Sequence, residues 1–217
     1  MNQISQAHSI VGQSRGRPET DFYPTPPVAT IELLQRERFD GTICEPCCGT
    51  GAISEILKEK RPFSDIYSYD LNDYGYGETG VDFLEANRLW DNIITNPPYS
   101  LASEFVQQAL DRTTGKVAML LKTVFLEGVS RYGLFKSTPL KTVYVFSGRL
   151  TLYRNGEKLT NQGMISYSWF VWDHNYNGLP NLDWILLDKN VQNSATEQVK
   201  AMKASELLLP LCQGSLK

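Results

Sequence analysis

Residues 42–57 constrain the fold of this chain more than any other stretch, because they predict a strand, a glycine turn and a helix in succession. The apolar run Thr42-Ile43-Cys44 leads into Gly49-Thr50-Gly51, and apolar residues then recur at helical spacing. Glycine tolerates positive φ and lets a ligand approach the backbone, so this unit is typical of nucleotide-binding parallel sheets. Such sheets carry an acid about 20 residues later that holds ribose hydroxyls. Asp70 ends the next predicted strand, 19 residues after Gly51, and no lysine pattern for phosphates is present, which favours a nucleoside without phosphates.

Strands and helices alternate along most of the chain. A helix is expected after Pro26-Pro27, with Thr25 as its N-cap. The segment 165–172 is expected to complete the sheet as an antiparallel strand. The alternation predicts an α/β fold with a doubly wound, mainly parallel sheet and one antiparallel strand. Further expected elements are helices at 101–110 and 126–135, strands at 90–95, 115–122 and 140–146, and a short strand end at 81–84.

Composition divides the chain into one domain with a short segment at each end. Its 217 residues are enough for one domain with a substantial core. We expect a polar arm over 1–19, a single domain over 20–188, and a tail over 189–217 with a helix near 201–209. No apolar run approaches the ~20 residues that span a bilayer, and the N-terminus lacks the apolar core of a signal peptide. A cytoplasmic protein is therefore expected.

Positive charge is concentrated in the second half of the chain, although the net charge is −3. Between Arg112 and Lys158 there are nine basic and two acidic residues, and a basic half beside an acidic half is typical of a one-sided polyanion surface. Asn155-Gly156 predicts a hairpin over 149–164 that carries part of this charge. Scattering of the charges over a solvated surface is the alternative. The expected nucleic-acid contacts are Lys122, Arg131, Lys136, Arg149, Arg154 and Lys158.

The cysteines indicate neither a disulfide framework nor a metal site. Three of the four (Cys44, Cys47 and Cys48) crowd around one turn, and the two histidines form no second cluster that would complete four ligands. We expect small buried thiols and no metal ion.

A second constrained stretch, Asn96-Pro97-Pro98-Tyr99, follows the apolar strand end Ile93-Ile94-Thr95. Two prolines cannot continue a sheet, because they lack N–H donors and fix φ near −65°. An Asn side-chain oxygen and a proline carbonyl can each accept one N–H of a planar exocyclic amine, which directs the nitrogen lone pair at an electrophile. Tyr99 offers a face for base stacking, worth ~1–3 kcal/mol. A proline-stiffened loop without chemistry is the alternative.

This stretch resembles the catalytic motif of the S-adenosylmethionine-dependent amino-methyltransferases. The accompanying segments are most similar to the DNA N6-adenine methyltransferases, especially the small phage and prophage type. The resemblance covers residues 20–173, and its motifs stand in the order of a class I methyltransferase (Rossmann-like) fold. It implies transfer of the methyl group of S-adenosyl-L-methionine to the N6 amine of adenine in double-stranded DNA, with the target base flipped out of its stack.

The resemblance implies how the target base is held. Asn96 and the Pro97 carbonyl accept the amine, Tyr99 stacks on the ring, and an aromatic residue near 165–172 lines the base pocket. No covalent enzyme intermediate is expected. The expected catalytic residues are Asn96, Pro97, Pro98 and Tyr99.

The cofactor side follows from the resemblance and from residue chemistry. Tyr23 and Thr25 contact the amino-acid end of the cofactor, and Glu45 can accept its ammonium group. Asp82 meets the adenine N6 of the cofactor and Phe83 lies on its ring, the alternative being a capped turn with a core phenylalanine. The expected cofactor-binding residues are Tyr23, Thr25, Glu45, Pro46, Gly49, Gly51, Asp70, Leu71, Asp82 and Phe83.

Other activities stay open from the sequence. RNA adenine-N6 methylation, protein glutamine-N5 methylation and a non-catalytic nucleic-acid-binding protein with a methyltransferase fold are compatible with the same motifs. The Tyr-Pro-Thr-Pro-Pro segment at 23–27 favours DNA over glutamine. Little of the chain is left for a separate target-recognition domain, so specificity is either short and loose or comes from residues 123–164.

Overall fold

The computed structural model describes residues 23–62, 64–150, 153–154, 157–158 and 165–212, of which 153–154, 157–158 and 202–212 are described as backbone only. The arm predicted at 1–19 lies outside the described residues. The helices are α1 (Pro27–Arg36), α2 (Ser54–Lys60), α3 (Ala102–Asp111), α4 (Val129–Ser137) and α5 (Lys189–Cys212). The strands are β1 (Ile43–Glu45), β2 (Ile66–Asp70), β3 (Glu78–Thr79), β4 (Trp90–Thr95), β5 (Thr113–Lys122), β6 (Leu140–Phe146), β7 (Tyr153–Arg154), β8 (Glu157–Lys158), β9 (Tyr167–Asp173) and β10 (Asn181–Ile185).

Eight strands form one sheet in the order β10-β6-β9-β5-β4-β1-β2-β3. All neighbouring pairs are parallel except those of β9, which runs antiparallel to β5 and to β6. The predicted fold class, an α/β fold with one antiparallel strand in a mainly parallel sheet, is confirmed. β9 lies inside the sheet, where Phe170 pairs with both Met119 and Val143. The edge strands are β10 and β3, and the sequence indicated neither.

Apolar side chains cover both faces of the sheet, as in a doubly wound fold. On one face Trp169 of β9 belongs to the same cluster as Leu33 of α1 and Leu57 of α2. On the other face Phe170 packs with Phe105 of α3. Every residue of β9 is buried, and burial of one large apolar side chain stabilises the fold by about 1.5–3 kcal/mol. Successive side chains of β9 therefore point to opposite faces of the sheet and belong to both halves of the core.

Two local predictions are wrong. Thr25 does not cap α1, because Pro26 occupies the N-cap position and no side chain bonds there. Residues 81–84 are not a strand end: Asp82 caps the 3-10 helix Phe83–Glu85, and its Oδ1 accepts from the Leu84 N–H at 2.9 Å. Aspartate at an N-cap supplies the acceptor that the first N–H groups of a helix lack.

The last helix is longer than the one expected near 201–209. α5 begins at Lys189, well before 201–209, and its Ala195 packs into the core beside α1. β7 and β8 pair antiparallel, with Tyr153 opposite Lys158, and flank the predicted turn at Asn155-Gly156, which lies outside the described residues. No helix in the described part of the chain is long and apolar enough to cross a membrane.

An ion network joins α1 to the sheet at the amino ends of the parallel strands. Glu37, 3% exposed, accepts from Lys116 Nζ at 2.6 Å, from Lys141 Nζ at 3.0 Å and from Tyr144 Oη at 2.9 Å. Asp173 Oδ2 lies 3.8 Å from both ammonium groups. Two of the nine basic residues between Arg112 and Lys158 are therefore neutralised inside the protein, at the end of the sheet opposite Asn96.

Candidate active site

A cavity opens at the carboxyl ends of β1, β2 and β4, the edge where open α/β sheets bind ligands. All four residues of Asn96-Pro97-Pro98-Tyr99 line it. Seven of the expected cofactor residues line the same cavity, namely Tyr23, Thr25, Pro46, Asp70, Leu71, Asp82 and Phe83. Glu45, Gly49 and Gly51 are not among its lining residues. The structure thus brings most of the predicted site together from segments spread over residues 23–105.

The glycine turn is held by Asp70 from the neighbouring strand. Gly49 and Gly51 have φ of 52° and 83°, a region that favours glycine. Asp70 Oδ2 accepts from the Gly49 N–H at 3.0 Å, and Oδ1 accepts from the Asn72 N–H at 2.9 Å. A carboxylate oxygen has two lone pairs, so each oxygen of Asp70 can still accept one hydroxyl hydrogen from a ligand in the cavity.

Glu45 bonds to the start of α2 and is not among the lining residues of the cavity, so its predicted contact with the cofactor ammonium stays a prediction. Its side chain is buried, and Oε2 accepts from the Ser54 backbone N–H at 2.8 Å and from the Ser54 hydroxyl. Ser54 in turn lies 2.5 Å from Ser68 Oγ. The first N–H groups of a helix lack partners within the helix, which explains why the carboxyl group of Glu45 bonds to the start of α2. Burial raises the pKa of Glu45 to about 8. Glu45 thus fixes the start of α2, the helix that follows the glycine turn.

The Asn96 side chain is oriented by the segment that precedes α1. Its Nδ2 donates to Thr25 Oγ1 at 3.1 Å and to the Tyr23 carbonyl at 3.3 Å. Because a backbone carbonyl can only accept, the amide nitrogen must face Tyr23. The oxygen Oδ1 is left buried, and no donor among the described residues bonds to it. A buried acceptor without a donor costs about 1–3 kcal/mol, so this atom favours a ligand that donates a hydrogen.

Tyr99 stands between the cavity and the antiparallel strand. Its ring centroid lies 5.6 Å from that of Tyr167, the first residue of β9, at an interplanar angle of 37°. The Lys122 ammonium lies 4.9 Å from the Tyr99 centroid, a cation–π distance. Tyr167 is buried and is not among the lining residues of the cavity, so the aromatic residue expected near 165–172 to line the base pocket stays a prediction. Tyr99 therefore belongs to a small aromatic and cationic group at the mouth of the cavity.

The Asp82-Phe83 pair forms a capped turn and also lines the cavity. Asp82 lines the cavity while its Oδ1 caps the 3-10 helix, which leaves Oδ2 for a ligand. Phe83 lines the cavity and packs on Phe105 with centroids 5.2 Å apart. Gln108, which sequence reasoning missed, donates from Nε2 to the carbonyls of Phe83 and Ala86 at 3.0 and 2.9 Å. Only the fold reveals this contact, because no local pattern marks it.

Other lining residues were also missed as site residues. Cys47 and Cys48 line the cavity beside the glycine turn, and burial raises the pKa of both thiols. Tyr74 and Leu101 also line the cavity. Among the described residues, no group of three His, Cys, Asp or Glu side chains could hold a metal ion.

A second cavity lies across Tyr99 and is bordered by basic residues. Ser100, Lys122, Phe125 and Arg131 line it together with Tyr99. Arg131 bonds to the backbone of the segment that precedes α4. Its Nε donates to the Phe125 carbonyl at 2.8 Å, and its Nη2 donates to the Glu127 carbonyl. The guanidinium is thereby fixed beside the cavity mouth.

The remaining predicted nucleic-acid contacts are dispersed. Lys136 is exposed on α4, and Arg149 Nη1 donates to Ser166 Oγ at 2.7 Å. Arg154 and Lys158 lie on β7 and β8, and their side chains are outside the described residues. The structure therefore brings Lys122 and Arg131 together beside Tyr99, but not the whole predicted set.

Comparison with known proteins identifies one sequence relative. No protein-family model matches the chain. The chain is 29% identical over 112 residues to the type II methyltransferase M.VspI of Vibrio sp. (strain 343), an alignment that covers 41% of this chain and 28% of that protein. The chain thus spans less than a third of the length of this relative.

Solved structures with a similar fold include subunits of type I restriction systems. The methyltransferase subunit of a type I restriction-modification system from Streptococcus thermophilus superposes with a TM-score of 0.57 at 13% identity, over 84% of this chain and 54% of that one. The modification subunit of a putative type I restriction enzyme from Vibrio vulnificus YJ016 gives 0.54 at 15% identity, over 78% and 48%. At this identity the likeness establishes the fold alone. The chain has the class I methyltransferase fold, and part of its sequence is similar to that of a type II methyltransferase.

Proposed function

We propose that this protein transfers the methyl group of S-adenosyl-L-methionine to the N6 amine of adenine in DNA. The observation that carries the proposal is the Asn96 amide, whose nitrogen is held by Tyr23 and Thr25 while its oxygen lies buried without a donor. An exocyclic amine supplies the missing hydrogen. The type II methyltransferase relative and the restriction-system neighbours support DNA as the substrate.

The side chains that line the cavity fit a nucleoside cofactor with an amino-acid end. Asp70 retains acceptor capacity for ribose hydroxyls, and Asp82 Oδ2 can accept from an adenine amine. Phe83 offers an apolar surface for a planar ring, and the Thr25 hydroxyl, which lines the same cavity, can bond to a polar group of the cofactor. The bound cofactor supplies a methyl group on a sulfonium, which is already a good leaving group.

The base site acts by positioning. Asn96 Oδ1 and the Pro97 carbonyl each accept one amine hydrogen, which draws the nitrogen toward a pyramidal geometry and directs its lone pair into the cofactor cavity. Both groups are stiff, because prolines fix the loop and two hydrogen bonds fix the amide. Tyr99 stacks on the ring. The adenine must leave its stack to reach these groups, and Lys122 and Arg131 flank the path beside Tyr99.

Parallel methylation assays with three kinds of substrate test the proposal. The protein is incubated with tritiated S-adenosyl-L-methionine and, in parallel, with duplex DNA, RNA and a release-factor protein, and labelled DNA is digested to nucleosides. We expect label in DNA, carried by N6-methyladenine. Label in RNA or protein alone would exclude the DNA assignment, label on cytosine would exclude adenine, and no label on any substrate would favour a nucleic-acid-binding protein without catalysis.

A further inference from the structure

We propose that Thr25 is a positioning residue for Asn96, and that it couples the amino-acid end of the cofactor to the amine acceptor of the base site. The inference rests on the proposed function and deepens it. The motif resemblance assigns Thr25 to the cofactor, whereas the hydrogen bonds of this structure link it to the base side.

The geometry places Thr25 directly beside the Asn96 amide. The two side chains come from segments 71 residues apart, one preceding α1 and the other ending β4. Thr25 is 4% exposed, and its Oγ1 accepts from Asn96 Nδ2 at 3.1 Å. A threonine immediately before a helix usually caps it, but α1 has no side-chain cap. The hydroxyl is therefore used for Asn96 instead of for the helix.

The orientation of the amide decides whether Asn96 can accept an amine hydrogen. An amide rotated by half a turn presents its NH2 group where its oxygen was, and a donor then meets the donor of the ligand. Two acceptors prevent this rotation: Thr25 Oγ1 and the Tyr23 carbonyl. Removal of the hydroxyl leaves only the Tyr23 contact, which is the longer of the two at 3.3 Å.

The same hydroxyl can serve the cofactor. A hydroxyl that accepts one hydrogen bond can still donate its own hydrogen, and Thr25 lines the cavity. The carboxylate of an amino-acid cofactor is a strong acceptor for that hydrogen. Donation to an anion polarises the O–H bond and makes Oγ1 a better acceptor for Asn96, because neighbouring hydrogen bonds strengthen one another. Cofactor binding thus stiffens the amine acceptor before a base arrives.

Kinetics of Thr25→Val and Thr25→Ser distinguish this role from plain cofactor binding. Valine keeps the shape and removes the hydroxyl, whereas serine keeps the hydroxyl. At saturating cofactor and DNA we expect Thr25→Val to lower kcat about tenfold, the effect of one hydrogen bond, and Thr25→Ser to stay within about twofold of wild type. In an Asn96→Ala background, Thr25→Val should add no further loss, because both substitutions remove the same interaction.

Two kinetic results would contradict a positioning role for Thr25. If Thr25→Val raises only the Kd or KM for the cofactor and leaves kcat unchanged, or if its effect multiplies with that of Asn96→Ala, Thr25 acts on the cofactor alone and the proposal fails.

A readout without turnover separates this proposal from the proposed function. The side-chain NH2 signals of Asn96 are identified in a 15N–1H spectrum as the pair that Asn96→Ala removes. We expect their hydrogen exchange to be about tenfold faster in Thr25→Val than in wild type and in Thr25→Ser. Exchange that is equal in all three would overturn the positioning role even in an active enzyme. Slow exchange that depends on the hydroxyl supports it even if no DNA is methylated.

Discussion

At the scale of single residues, the site consists of polar side chains that the protein satisfies in part. The NH2 group of Asn96 donates to Tyr23 and Thr25, while its oxygen accepts no hydrogen bond from the described residues. Each carboxylate oxygen of Asp70 accepts one backbone N–H. Partial satisfaction fixes each group in place and leaves directed capacity for a ligand. This combination distinguishes them from Glu45, whose buried side chain accepts hydrogen bonds from Ser54 and does not line the cavity.

Asp70→Asn should weaken cofactor binding and destabilise the glycine turn. Asparagine offers one oxygen, so one of the two N–H groups, of Gly49 or Asn72, would face a donor. We expect the cofactor Kd to rise at least about tenfold and the free energy of unfolding to fall by about 1–3 kcal/mol. Calorimetry with S-adenosyl-L-methionine and urea titration measure both.

Asp73→Asn is the matched control for that substitution. It makes the same charge change at an exposed residue of the following loop, whose Oδ1 accepts only from the Gly75 N–H, and should leave the cofactor Kd within about twofold. Equal effects of the two variants would mean that net charge, and not the Asp70 contacts, governs binding.

At the scale of elements, α1 carries the entry segment and is fixed to the sheet at its far end by Glu37. Glu37→Gln should lower the free energy of unfolding by about 3 kcal/mol at pH 7, because it leaves Lys116 and Lys141 close together with a weakened partner. Glu197→Gln is the control, since it breaks an exposed pair with Lys200 and should cost less than about 1 kcal/mol. Urea titrations of the three proteins decide the point.

The same network predicts a pH dependence. Burial raises the pKa of Glu37, but hydrogen bonds from Lys116, Lys141 and Tyr144 outweigh it, so its pKa lies below the ordinary 4.5. A depressed folded-state pKa contributes stability that is complete above about pH 5 and is lost as the pH falls through the folded value. The stability difference between wild type and Glu37→Gln should therefore narrow below pH 4, and a difference independent of pH would contradict this.

Sequence reasoning found the elements whose signals are local. The glycine turn, Asp70 and the strand before Asn96 each carry a short-range pattern, and the parallel sheet follows from their alternation. β10 was missed because most of its residues are exposed and its place depends on pairing with β6. Pattern alone could not reveal an edge strand that packs one residue, Ile185, into the core.

The parts of the site that the sequence could not give depend on long-range contacts. The hydrogen bonds from Asn96 to Thr25 and from Gln108 to Phe83 join residues 71 and 25 positions apart, and no spacing rule predicts them. Charge counting also overestimated the free basic surface, because Lys116 and Lys141 bind Glu37.

At the scale of the whole molecule, exposed positive charge away from the cavity should also contribute to the binding of nucleic acid. Lys136 is exposed on α4, which follows the turn beside the second cavity. Lys136→Ala should reduce the slope of log Kobs against log salt concentration by about 1, the loss of one phosphate contact. Anisotropy of a labelled duplex over a range of KCl concentrations measures the slope.

Lys60→Ala is the control for charge alone, because Lys60 is exposed at the end of α2. It should leave the slope unchanged. A slope that falls equally in both variants would mean that the duplex senses the net charge of the protein and does not contact α4.

The most direct test of the account is single-turnover methyl transfer to DNA by Asn96→Ala, with wild type and variant both saturated with S-adenosyl-L-methionine. Loss of one transition-state contact predicts a rate lower by about 100-fold or more, with a cofactor Kd within about twofold of wild type. Retention of the wild-type rate, or a loss explained entirely by weaker cofactor binding, would contradict the claim that the Asn96 oxygen holds the amine that is methylated.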